Sequence, residues 1–303
     1  MVPRARPAAA TDKGRGQNRP AGGLRYPDFI CIGAQKAGTT WLDRNLRQHP
    51  RLWLPPVKEM HYFNQLYLTE SRKWTTRYRV ERGNLLLRNY IAKTRMDKRD
   101  DRFTATLAEL ANGAVSDEWY GRVFALAPPR RICGEVTPDY STLPEEGVRH
   151  IARLSPAVKI VFLLRDPIER SWSHIRMMTR TRRIADIAEI EQMARHPDQV
   201  RRADYSTIVA NWLRIVPPER FLTILMDDVA EKPETALREL CAFLGIRYRE
   251  ECFAKAHKPV HVGEPRPMPP TVATILKERL RPAYDGIIAR FPEIGTKWAA
   301  RHY

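Results

Sequence analysis

Apolar residues in this chain gather into short unbroken runs: Phe29–Ile32, the RLWLP segment at 51–55, Arg131–Gly134, Lys159–Leu164 and Phe221–Met226. Runs of this length, partly β-branched and without polar alternation, predict strands covered on both faces. Between them, apolar positions recur at helical spacing. They predict helices over Thr39–Gln48, Asp117–Leu126, Glu145–Leu154, Pro167–Arg180, Asp204–Ile215, Pro233–Leu244 and Thr271–Arg290. Pro167 and Pro233 suit a first helical turn, where a missing N–H costs nothing. Strands alternating with helices require crossover connections, so the expected fold is α/β: one domain with a parallel sheet flanked by helices on both faces. Ligands of such sheets bind beyond the C-terminal strand ends. Residues 255–270 hold five prolines, which excludes regular structure and marks a candidate lid.

The segment DFICIGAQKAGTTW at 28–41 joins the first strand to the first helix and carries the clearest chemistry. Gly33 allows the chain to turn, and Gly38 allows an anion to approach the backbone closely. Thr39 and Thr40 open a helix whose free N–H groups and positive dipole end attract that anion, while Lys36 adds a full charge. The Gly33–Gly38 spacing matches the nucleotide-triphosphate loop G-x-x-x-x-G-K-[ST], but Thr39 stands where the lysine belongs, and the lysine lies three residues earlier. The expected ligand is therefore a nucleotide without a triphosphate. A second anion site is expected where Arg165 leaves the KIVFLL run. Ser173 follows it two turns into the next helix, and a guanidinium and a hydroxyl so placed can bracket one phosphate.

Taken in order, PDFICIGAQKAGTTWL, KEMHYFN at 58–64, GEVTPDYS at 134–141 and KIVFLLRDPIERSWSH at 159–174 resemble the sulfotransferases that use 3′-phosphoadenosine-5′-phosphosulfate (PAPS), in particular the heparan-sulfate-type and bacterial carbohydrate branch. The resemblance runs from about Tyr26 to the C-terminal region. It implies a P-loop-like sheet and a sulfotransferase domain over 26–303. It also implies that Lys36, Ala37, Gly38, Thr39, Thr40 and the Trp41 backbone cradle the 5′-phosphosulfate, with Lys36 stabilising the leaving phosphate. Arg165 and Ser173 would bind the 3′-phosphate, and Lys258 and His261 lie in a segment that closes over the nucleotide. The attacking hydroxyl must lose a proton, which requires a positioned base. Glu59 matches the family's catalytic glutamate, and His61 is the alternative base or an orienting partner, since alternate residues of an extended segment share a face. Glu135, Thr137, Pro138 and Tyr140 match an acceptor-side motif; Val136 departs from the lysine common in heparan-type members.

Net charge is +17, from 52 basic and 35 acidic residues, which implies anionic partners. Residues 1–25 carry six basic residues against Asp12, with abundant proline, alanine and glycine, and are expected to be a disordered basic tail. A second concentration, from Arg72 to Arg102, reads as a solvated helix face or a surface for an acidic acceptor or membrane rather than for nucleic acid. Arg176, Arg180, Arg182 and Arg183 form a further cluster. Cys31, Cys133, Cys241 and Cys252 lack metal-ligand spacing and are expected to be free thiols. His257 and His261 bracket Pro259 without a third ligand, so no metal is expected. Mean hydropathy is -0.50 and no run is long enough to span a bilayer, so a cytoplasmic protein is expected, with peripheral membrane contact left open. Two other classes compete: a P-loop kinase or NTPase, using Asp227 and Asp228 after FLTILM, and a non-catalytic anion-binding protein.

Overall fold

The computed structural model describes residues 23–258 and 266–303, except 69, 71, 114 and 185. The basic tail and His261 thus lie outside the described residues, apart from the tail's last three residues. Five strands, β1 (Phe29–Gly33), β2 (Leu52–Trp53), β3 (Ile132–Val136), β4 (Lys159–Leu164) and β5 (Phe221–Leu225), form a sheet in the order β2-β3-β1-β4-β5. Every neighbouring pair is parallel. β1 is central and buried at all five positions, which is why its run holds no charged residue. The chain leaves β1 on one side of the sheet for β2 and β3 and passes to the other for β4 and β5. The end of β1 is therefore a topological switch point.

Around the sheet lie α1 (Thr39–Leu46), α2 (Tyr62–Tyr67), α3 (Arg72–Lys93), α4 (Asp101–Ala111), α5 (Asp117–Ala125), α6 (Glu145–Leu154) and α7 (Pro167–Arg182). They are followed by α8 (Ile187–Arg195), α9 (Pro197–Arg201), α10 (Tyr205–Leu213), α11 (Met226–Glu231), α12 (Pro233–Leu244), α13 (Pro270–Arg290) and α14 (Pro292–Ala299). The helices predicted from spacing are all present, within a few residues at their ends. The expected RLWLP strand shrinks to Leu52–Trp53, because Pro55 and Pro56 have no N–H to continue the ladder.

The long helix α3 is the main element that periodicity does not reveal. Its basic residues are spread around the helix, so no single apolar stripe announces it. It is held by packing against α4. A Cβ on Gly83 would come within 2.7 Å of the Ala111 backbone nitrogen, so only glycine permits this approach. Arg79 is fully buried rather than solvated. Its guanidinium lies 4.1 Å from the Trp119 ring centroid and donates to the Asn112 carbonyl at 2.7 Å, which compensates for the lost hydration.

Candidate active site

The anion loop follows β1 and is fixed to its neighbours by backbone contacts. Ala34 N–H donates to the Leu163 carbonyl at 2.7 Å, tying the loop to β4. Lys36 has φ 71° and Gly38 φ 88°, so the chain makes two left-handed turns before α1 begins. At Gly38 an added Cβ would sit 2.6 Å from the Met226 sulfur at the end of β5. The left-handed conformation favours glycine, whereas the flexible end of Met226 can shift. Thr39 is buried, Thr40 half-buried, and both belong to the first turn of α1.

Arg165 meets this loop directly. It leaves the end of β4, its Nη1 donates to the Lys36 carbonyl at 3.1 Å, and its Nη2 lies 3.4 Å from Glu169. The two predicted phosphate sites are thereby parts of one surface. The position of Arg165 is set from behind: Tyr205 O–H donates to its carbonyl at 2.8 Å. The next residue, Asp166, caps α7 by accepting from the N–H groups of Ile168 and Glu169, and also holds Tyr284 O–H at 2.7 Å and His302 Nε2 at 3.0 Å. Ser173 is half-buried on α7, on the stripe shared by Glu169, Arg176 and Arg180. Arg170, on the adjoining face, is buried and donates to Gln199 Oε1 at 2.6 Å, so it is structural.

The Lys36 ammonium is held below the ordinary lysine range, first by desolvation and then by the positive charges of Arg165, Arg180 and Arg176, with Glu59 acting in the opposite sense. Of the predicted arginine cluster, Arg176 and Arg180 thus act on the loop. A polyanion bound there would remove the mutual repulsion of these cations, a fit expected of a nucleotide bearing phosphate at both ends.

Residues 58–61 bend irregularly and residues 62–64 open α2, in place of the expected extended segment. Glu59 has φ 65° and His61 φ 54°. The two side chains do meet, with His61 Nε2 3.5 Å from Glu59 Oε2, but through this bend and not through a pleat. Glu59 N–H donates to the Val136 carbonyl at 3.2 Å, and the carboxylate accepts from Lys58 Nζ at 2.5 Å. Desolvation works to raise the Glu59 pKa, but the His61 interaction and the Lys58 charge outweigh it and hold the carboxyl down at about 2.

His61 is almost fully buried, with the rings of Trp74 and Tyr78 at 4.8 and 5.9 Å. Its Nδ1 lies 3.2 Å from the Asn64 amide nitrogen and 4.0 Å from Asp139 Oδ2, and Asp139 is paired with Arg202. An amide donor at Nδ1 and a carboxylate facing Nε2 both favour the tautomer that carries its proton on Nε2. That nitrogen faces the Glu59 carboxylate at 3.5 Å.

Other predicted residues fall elsewhere. Glu135, Thr137 and Tyr140 do not line a cleft but are buried. Glu135 accepts from Tyr120 O–H and from Thr137 Oγ1, and burial raises its pKa. The motif therefore acts as packing that sets the position of Asp139. Trp41 Nε1 donates to the Ala256 carbonyl at 2.7 Å, and Trp172 Nε1 to the Arg266 carbonyl at 3.1 Å. Residues on both sides of the proline-rich segment are thus fastened to α1 and α7, the helices that carry the two candidate anion sites, and Lys258 is exposed within it. Of the two residues expected to imitate magnesium ligands, Asp227 accepts from Trp298 Nε1 at 3.0 Å and Arg301 Nη2 at 2.5 Å, and Asp228 is exposed. His257 pairs with Glu234. Among the described residues, no group of three His, Cys, Asp or Glu is placed to hold a metal ion. Cys31, Cys133 and Cys241 are buried free thiols, and Cys252 is a half-buried one. Sequence reasoning missed Lys58, Asp139, Arg202, Trp74 and Tyr78 as site residues. Asp139 and Arg202 are far apart in the chain, and no local signal links them.

A family model described as the sulfotransferase family matches residues 27–250. The chain belongs to that family. A solved sulfotransferase from Alicyclobacillus acidocaldarius superposes with a TM-score of 0.62 at 23% identity, covering 91% of this chain and 100% of that one, and so shares the fold. A membrane-associated sulfotransferase of Dictyostelium discoideum is 31% identical over 153 residues, which is 50% of this chain and 22% of that protein. Heparan sulfate glucosamine 3-O-sulfotransferase 5 of Mus musculus is 24% identical over 233 residues, covering 73% of this chain and 54% of that protein. The sulfotransferase chain described here thus spans about half the length, or less, of these curated relatives. No helix among its described residues is long and apolar enough to cross a membrane.

Proposed function

We propose that this sulfotransferase moves the sulfuryl group of PAPS to a hydroxyl of a carbohydrate or glycoconjugate. The observation that carries the reading is the contact of Arg165 with the Lys36 loop, Nη1 donating to the Lys36 carbonyl at 3.1 Å, with Glu59 near enough for its charge to oppose the effect of the arginines on that lysine. Lys36 would meet the bridging oxygen between phosphate and sulfate, with the backbone from Ala37 to Trp41 around the 5′ end, and Arg165 with Ser173 around the 3′-phosphate. Lys258 would approach from the segment above.

In the reaction the acceptor oxygen attacks sulfur in line. The new S–O bond forms as the bond to the bridging oxygen breaks, the electron pair leaves with the phosphate, and the hydroxyl proton passes to Glu59. Lys36 offsets charge developing on the leaving oxygen, an effect of about 3 kcal/mol for preorganised donors. His61, whose Nε2 faces the Glu59 carboxylate at 3.5 Å, would orient it. The carbohydrate acceptor is supported by the names of the heparan sulfate relative and of carbohydrate sulfotransferase 15 of Mus musculus, which is 22% identical over 264 residues. Capture of Asp227 by Trp298 and Arg301 argues against a magnesium-dependent kinase.

Thermal shift with 3′-phosphoadenosine-5′-phosphate, against ATP with magnesium, tests the donor. Stabilisation by the first that survives EDTA is expected; stabilisation by ATP and magnesium alone would sink the proposal.

A further inference from the structure

The basic stretch singled out in the sequence is not absorbed by the active site. Only the first turns of α3, with Trp74 and Tyr78, reach His61. At about 1.5 Å per residue, the far end of the helix lies about 22 Å beyond Tyr78. There the chain turns back through a short 3-10 segment, Met96–Lys98, into α4. Among the described residues, most of the exposed large apolar side chains belong to this hairpin: Trp74, Leu85, Ile91, Met96 and Phe103, with Met96 83% and Ile91 42% exposed. Phe103 is partly covered by the Tyr90 ring at 4.8 Å. Ile91 and Met96 project at the turn itself.

The same turn is strongly basic. Residues 88–99 contain Arg88, Lys93, Arg95, Lys98 and Arg99 against Asp97 alone. Arg99 closes the end of α3 by donating to the carbonyls of Ile91 and Thr94, and Arg95 pairs with Asp97 at 3.2 Å. Arg88, Lys93 and Lys98 are exposed and have no carboxylate partner among the described residues. The turn, which runs into Asp100 and Asp101 at the start of α4, thus forms a tip that sets apolar side chains beside the three cations Arg88, Lys93 and Lys98.

We propose that this tip docks on anionic lipid surfaces, with Ile91 and Met96 entering the headgroup boundary while Arg88, Lys93 and Lys98 meet lipid phosphates. Exposed apolar groups gain free energy on leaving water for acyl chains, and clustered cations gain from a negative surface potential. A polyanionic sugar would satisfy the cations but gives Met96 and Ile91 nothing to bury against. A second copy of the same tip would bring like charges together. The inference is independent of the acceptor and of the donor nucleotide.

Co-sedimentation of the full chain tests it, with neutral phosphatidylcholine vesicles and with vesicles containing about one-third phosphatidylglycerol. The anionic vesicles should bind the protein and the neutral ones should not. Two double variants, Lys93→Glu with Lys98→Glu and Ile91→Ser with Met96→Ser, should each lower the partition coefficient about tenfold, with 3′-phosphoadenosine-5′-phosphate binding unchanged. Undiminished partition of both variants would put the membrane contact in the basic N-terminal segment and overturn the proposal. Loss confined to the charge-reversed pair would overturn it as well, because the tip would then be a patch for any polyanion.

Discussion

Replacing Glu59 by glutamine should expose how strongly its surroundings favour the ionised carboxylate. The folded protein holds this group at about 2 against an ordinary value of 4.5, with burial opposing and His61 and Lys58 prevailing. A carboxyl depressed on folding adds stability that is complete above the unfolded pKa and is lost as pH falls through the folded one. That interval corresponds to an upper limit of about 3 kcal/mol. The side chain is 30% exposed, so solvent screening brings the expected contribution nearer 1 to 2 kcal/mol. Urea unfolding of the wild type and of Glu59→Gln, repeated from about pH 7 down to about pH 3, should give a constant deficit for the variant near neutrality. The deficit should close by roughly half at the acid end. A deficit that stays unchanged over the whole range would refute the depressed pKa and with it the assigned partners. The same depression bears on catalysis. An ionised Glu59 adds no acid limb to kcat/KM between about pH 5 and 7, and an acid limb in that range would refute Glu59 as the base.

Two further substitutions probe the anion loop. Arg165→Ala should weaken binding of 3′-phosphoadenosine-5′-phosphate by about ten- to hundredfold in calorimetry and leave adenosine-5′-phosphate nearly unaffected; an equal loss for both would show that Arg165 does not meet the 3′-phosphate. Gly38→Ala places a Cβ at φ 88° against Met226, so denaturant unfolding should report a loss of about 1 to 3 kcal/mol, and an unchanged midpoint would contradict the loop geometry.

The apolar runs and the glycine loop were legible because both are local codes. A strand buried on two faces is mostly apolar, and β1, β4 and β5 are written largely that way, while β3 carries the buried Glu135, satisfied by Tyr120 and Thr137. Gly38 is required by the backbone itself, and the fold puts Lys36, Thr39 and Thr40 on the loop and first helical turn their spacing implied. Arg165 emerges from the end of β4 as expected of a residue that follows an apolar run. The helix α3 escaped this reading because its stability comes from the Gly83 contact with α4 and from Arg79 buried over Trp119, neither of which leaves a periodic trace.

Sequence alone therefore determined the α/β class, the anion loop and the family resemblance, since each depends on residues close together in the chain. Tertiary structure decided how those parts act on one another. It set Arg165 against the Lys36 carbonyl and gathered Arg176 and Arg180 behind the same lysine. It buried Glu135 and Tyr140, and gave Glu59 its low pKa through Lys58 and His61. These are effects of distance and desolvation between groups brought together by crossovers and turns. Charge and burial at a point in space have no counterpart in the order of residues along the chain.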